Sequence, residues 1–127
     1  MATLSKQQFS VSEAMTGRRF VVTGTMASAA NVFHKVPTTA GIMDECWVYA
    51  HNFSTQDVDL TVCWGLTAIP SSQTADVSEG VTITIPFHSG RACIFDGVIL
   101  GKALSAAAYA SSANAISIDG FVNRITP

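Results

Sequence analysis

Three histidines, three cysteines and nine acidic side chains are the groups through which this chain of 127 residues could do chemistry. No two of His34, His51 and His88 are spaced as a metal pair on one strand face or helix turn. A zinc site would need ligands from distant loops. Cys93 and His88 are the nearest cysteine and histidine in sequence. A nucleophilic thiolate needs such a base beside it, but closeness along the chain alone does not make a catalytic pair. Asp57-x-Asp59 and Asp44-Glu45 are the acidic clusters. Calcium needs several oxygen ligands around a tight loop, so these carboxylates are read as solvated turn charges. No nucleophile elbow, phosphate loop or dinucleotide fingerprint occurs. Trp47, Tyr49 and Trp64 are the aromatics that could stack on a sugar, but their strand positions favour core packing. The expectation is a chain without catalytic residues, metal or cofactor.

The odd cysteine count and the lack of a C-x-x-C motif point away from a disulfide framework. Cys46 and Cys63 each precede a tryptophan in an expected strand. They are read as buried thiols acting as small apolar groups, with a Cys46–Cys63 bridge as the alternative in an oxidising compartment. The sequon Asn52-Phe53-Ser54 is read as chance. Charged residues make up 13 % of the chain, against about 25 % in typical domains. A net charge of −2 argues against binding to nucleic acid by phosphate neutralisation. Apolar runs such as Val98-Ile99-Leu100 are too short for a membrane-spanning helix. The N-terminus lacks a basic stretch followed by an apolar one and does not read as a secretion signal. Low charge with 48 % apolar residues predicts a surface partly covered by other subunits.

The elements that must position these side chains are strands. Valine and isoleucine number 21 against five leucines, and serine and threonine add 26. β-Branched residues suit a pleated, half-buried surface. Residues 1–16 lack steady alternation and are read as an extended N-terminal arm; residues 17–127 form the domain. Strands are expected over 18–25, 29–36, 46–53, 58–65 and 81–86. In the second, Val32, His34 and Val36 share one face and Phe33 and Lys35 the other. In the fourth, Val58, Leu60, Val62 and Trp64 oppose Asp59, Thr61 and Cys63. Segments 46–53 and 58–65 read as a hairpin, and 70–76 as a polar loop. Asp96-Gly97 reads as a hairpin turn between two short strands. Residues 104–115 contain enough alanine for a helix. Their alternation and their neighbours decide for a strand whose small-residue face admits another layer or subunit. The last strand is 115–125, with a bulge expected at Gly120. Eight or nine strands with frequent turns predict an all-β, antiparallel two-sheet sandwich, jelly-roll-like in one form.

Two stretches carry a resemblance. One runs from Asn52-Phe53-Ser54 through Leu60-Thr61-Val62-Cys63-Trp64-Gly65. The other runs from Ala110-Ser111 through Ala115-Ile116-Ser117-Ile118-Asp119-Gly120-Phe121-Val122-Asn123-Arg124-Ile125. With the turn region Gly97–Gly101, the pattern over residues 45–125 resembles small β-rich virion proteins of tailed bacteriophages. That resemblance implies a non-enzymatic capsid decoration (cement) protein, with a neck or tail protein as the nearest variant. Its partners would be the major capsid protein or other virion proteins. Homo-oligomers, trimers by preference, would assemble in the host cytoplasm into the virion. The expected contacts are Phe9 in the arm, the basic pair Arg18 and Arg19, and the alanine face Ala106, Ala108 and Ala110. Removing residues 2–15 is expected to weaken capsid binding and leave the sandwich folded. The rival is a carbohydrate- or host-binding sandwich.

Overall fold

The structure is a computed structural model and describes residues 2–10, 19–67 and 80–127. Among these, nine strands run Thr3–Gln7 (β1), Phe20–Val21 (β2), Asn31–Lys35 (β3), Met43–Asn52 (β4), Val58–Leu66 (β5), Gly80–Ile85 (β6), Arg91–Leu100 (β7), Ser105–Ala110 (β8) and Ile116–Thr126 (β9). A single 3-10 turn lies at Ala27–Ala29. Every strand pairing is antiparallel. One sheet has the order β1-β9-β4-β7, with β2 also against β9; the other has the order β3-β8-β5-β6. The partners nest: β2 with β9, β3 with β8, β4 with β7, β5 with β6. A long antiparallel ribbon folded back between β5 and β6, then wound around the core, gives this nesting. Winding adds the pairs β4–β9 and β5–β8. The expected sandwich is therefore a jelly roll, with β1 as an added strand.

The strand patterns explain which faces meet. Cys46, Val48 and Ala50 of β4, Val58, Leu60 and Val62 of β5, and Ile116, Ile118 and Val122 of β9 all enter one buried core. Residues 104–115 hold a strand, as the alternation predicts. Ala106, Ala108 and Ala110 point into that core, beside a cluster in which Phe33 packs against Phe9 at 5.0 Å and against Phe20 at 5.7 Å. Small side chains on one strand make room for large ones on the next. On the other side of β8, Ala107 joins Cys63, Leu66 and Ala30 in a second, smaller cluster.

Five expectations are corrected. The segments read as a hairpin, β4 and β5, lie in different sheets and do not pair. Asn52 holds the corner between them: its Nδ2 donates to Gln56 O and Ile85 O, and its Oδ1 accepts from Ser54 N. Asp96-Gly97 is no turn. β7 runs straight through it, and the register with β4 skips Gly97, whose φ of +94° permits the bulge. At Gly120 the register with β4 is unbroken; a Cβ there would overlap the Trp47 carbonyl oxygen and lie 2.8 Å from Phe9 Cζ. β3 shifts register between Val32 and His34, so Val32 joins the outer cluster while Phe33 and Val36 enter the core. The first expected strand is only two residues long here, and the polar loop 70–76 falls outside the described residues.

Candidate functional site

The expected contact residues divide. Ala106, Ala108 and Ala110 are fully buried by their own chain and Phe9 is 1 % exposed. These four therefore serve the core and present no surface to a partner: the second layer admitted by the alanine face is the opposite sheet. Arg18 lies outside the described residues. Arg19 is exposed, with its guanidinium 3.7 Å from the Asp119 carboxylate.

The arm is also built into the domain over its described part. Residues 3–7 form β1 along β9. Phe9 then drops into the core, and Ser10 sits against β3. There its Oγ donates to Lys35 O and accepts from Lys35 N, standing in for a paired strand.

Behind Ser10 lies the most polar feature of the interior. Asp44 and Arg124 face each other across the β4–β9 ladder. Arg124 Nε donates to Asp44 Oδ1 at 2.9 Å and its Nη2 to Oδ2 at 3.0 Å, a fork-on-carboxylate geometry. His34 Nε2 lies 2.6 Å from Asp44 Oδ2. The Ser10 amide donates to His34 Nδ1 at 3.2 Å, so the ring hydrogen sits on Nε2 and points at Asp44. Burial would push the Asp44 carboxyl up, but hydrogen bonds from His34 and Arg124, with the Arg124 charge, hold it below its ordinary value. The same pairing raises Arg124. Among the described residues, no buried side-chain nitrogen or oxygen lacks a partner. Asp44 is thus a fully buried cross-sheet anchor, against the expectation of a solvated turn charge. Its signal was present in the sequence: Asp44 is in phase with inward Cys46 and Val48, and Arg124 with Ile118 and Val122.

The other chemical candidates do not converge. His51 Nδ1 lies 3.3 Å from Gly90 O, and the His88 ring packs on Phe87. The Cys93 thiol donates to Phe95 O and not to His88; Cys93 is exposed. Cys46 faces the core while Cys63 sits in the outer cluster, and they form no disulfide. Burial, with Asp44 and Glu45 nearby, pushes the Cys46 thiol up to about 12. Asp57 accepts from Phe87 N and Asp59 from Thr84 Oγ1. Among the described residues, no three histidine, cysteine or acidic side chains are grouped to hold a metal. An open cavity of about 530 Å³ is bordered by Ser10, Lys35, Pro37, Thr38, Thr39 and Arg124; the Ser10 hydroxyl there is engaged by the Lys35 backbone.

What remains is a surface, the outer face of the five-stranded sheet. Register sets its rows: Leu4, Ile125 and Met43; Lys6, Asn123, Glu45 and Ile99; Phe121, Trp47 and Asp96; Asp119, Tyr49 and Cys93. Leu4 is 66 % exposed, and Met43 and Ile99 are exposed too. Trp47 and Tyr49 point outward here, against the expectation of core packing; Trp64 alone turns inward, edge-on to Phe95. Trp47 stacks on Phe121 with planes 9° apart. Lys6 covers the far face of this pair from 4.3 Å, and Arg91 covers Tyr49 from 3.6 Å. Glu45 accepts from Trp47 Nε1 and Asn123 Nδ2, which holds its carboxyl below the usual range.

The fold and this face define a β-sandwich organised around a surface and a buried structural ion network. No protein-family model matches the chain, and comparisons with curated proteins and with solved structures found no match.

Proposed function

We propose that this chain is a non-enzymatic structural protein of a tailed-phage virion, acting as a decoration protein bound outside the capsid shell. The observation that carries the reading is the outer face of the five-stranded sheet, where Leu4, Met43, Ile99 and Ile125 gather beside the Trp47–Phe121 stack on a chain with few charges. Burying such a face yields about 25 cal/mol per Å². Repeated over a shell, modest contacts add up to resistance against internal pressure. The fold agrees by analogy, since jelly rolls build many capsid and lectin domains.

Quantitative mass spectrometry of purified particles tests the reading. About one copy per major capsid subunit is the expected result. A handful of copies moves the protein to the neck or tail, and absence from the particle overturns the proposal. A lectin-like reading draws support from outward Trp47 beside Glu45 and Asn123. The capping of Phe121 and Tyr49 by Lys6 and Arg91 weighs against it, because those ring faces are already taken. Tryptophan fluorescence that shifts on adding glycans would favour it instead.

A further inference from the structure

A sandwich leaves strand edges whose unpaired backbone groups are templates for another strand, and natural edges are blunted by bulges, charge, brevity or cover. Most edges here follow that rule. β7 carries two register shifts, with Arg91 and Asp96 along it. β3 carries Lys35, a register shift and the Ser10 backing. β1 is short and bears Lys6, and β2 has two residues.

β6 is the exception. Among the described residues it pairs on one side only, with β5. It holds Gly80-Val81-Thr82-Ile83-Thr84-Ile85, with no charge, no proline and an unbroken register. Val81, Ile83 and Ile85 lie opposite core residues Val62, Leu60 and Val58, so they share the inward face. Yet Val81 is 42 % exposed and Ile83 only partly buried. Thr82 and Thr84 lie on the outer face, bonded to Thr61 and Asp59.

The segment 81–85 reads the same in both directions: apolar, threonine, isoleucine, threonine, apolar. A two-fold interface must be self-complementary, residue i meeting residue j of the mate and j meeting i, and this pattern sets like beside like under that symmetry. We propose that β6 pairs antiparallel with β6 of a second copy of this chain, about an axis at Ile83. Ile83 then faces the partner's Ile83, Thr82 faces the partner's Thr84, and Val81 faces the partner's Ile85. On the inner face exposed Val81 and partly buried Ile83 meet the partner, while Ile85 stays in its own core, and threonines meet on the outer. The two four-stranded sheets become one of eight strands. Like charges are absent from the seam, and the half-open end of each core is covered.

Five paired residues span about 17 Å, less than a standard interface of about 800 Å² per partner uses. The dimer is therefore concentration-dependent. Sedimentation velocity of the full chain, up to about 0.5 mM, is expected to show a species of twice 13.4 kDa. The double variant Thr82→Lys/Thr84→Lys places lysine opposite lysine and weakens association at least tenfold, about 1.4 kcal/mol. Thr82→Lys/Thr84→Glu places opposite charges face to face and restores it. Circular dichroism and thermal melting confirm that each variant is folded. Ile83→Cys, with Cys93→Ser to remove the exposed thiol, forms a symmetric disulfide under mild oxidation. A lone 13.4 kDa species at every concentration, a trimer, or a dimer indifferent to the lysines overturns the proposal.

Discussion

Replacing Phe9 by alanine tests whether the N-terminal segment is an appendage or part of the domain. The ring is 1 % exposed, 5.0 Å from Phe33, and fills space that Gly120 leaves open. Core Phe→Ala changes cost about 3–5 kcal/mol. Removing residues 2–10 also takes away the Ser10 amide that donates to His34 Nδ1. A buried acceptor left without its donor costs about 1–3 kcal/mol more. β1 is mostly exposed, so its pairing roughly balances the backbone entropy of ordering it, about 1–2 kcal/mol per residue. The deletion should thus remove about 4–8 kcal/mol from a domain whose whole stability is of the order of 5–15. Urea titration followed by tryptophan fluorescence measures this, with Trp47 and Trp64 in different sheets as reporters. Leu4→Ala, at an exposed site, is the control and should move stability by less than about 0.5 kcal/mol. If Phe9→Ala costs no more than that control, the packing argued here is wrong. The expectation that truncation spares the fold would then stand.

Three further outcomes follow from the interior. Asp44 has a folded pKa below its ordinary value. Its stabilisation is therefore complete above the unfolded value of about 3.9 and is lost as pH falls through and below that value. Urea titrations at pH 7 and near pH 3 should show a smaller acid loss for Asp44→Asn than for the parent; equal losses refute the assignment. Gly120→Ala forces a Cβ against the Trp47 carbonyl and the Phe9 ring. Overpacking of this kind costs about 1–3 kcal/mol, so a clear fall in melting temperature is expected, and an unchanged one means the site has room. A thiol reagent should label Cys93 rapidly in the native protein, with Cys46 and Cys63 reacting only in denaturant. Intact mass then reads one adduct before unfolding and three after.

Period-two patterning made most strands legible, including the alanine-rich β8 and the inward set Val58, Leu60 and Val62. It names the face of a strand and not its neighbour, which is why β4 and β5 read as a hairpin although each pairs elsewhere. Asp96-Gly97 has the composition of a turn; only the unbroken partner strand β4 shows that its positive φ serves a bulge. The outward position of Trp47 follows from Asp44, Cys46 and Val48 taking the core phase. That inference required treating a carboxylate as a core residue. Sequence gave reason to do so only once Arg124 was seen at the matching phase of β9, 80 residues away. Long-range pairing of this kind has no local signature.

The two flanks of the sandwich are closed by different means, and that difference carries the functional argument. On the β1–β3 flank the chain closes itself: Phe9 fills the core and Ser10 pairs with Lys35. Beneath them, Arg124, Asp44 and His34 link β9, β4 and β3 across the sheets. A buried ion network contributes little net stability over an apolar replacement, but breaking it leaves uncompensated polar groups. It therefore holds the N-terminal segment in one register. Residues 2–10 are then committed within their own chain. The contacts proposed above with other subunits use the outer face around Leu4, Met43 and Ile99, and the uncharged edge of β6. The two proposed surfaces lie on different sheets, so the proposed shell contact and the proposed β6 pairing do not compete for the same face.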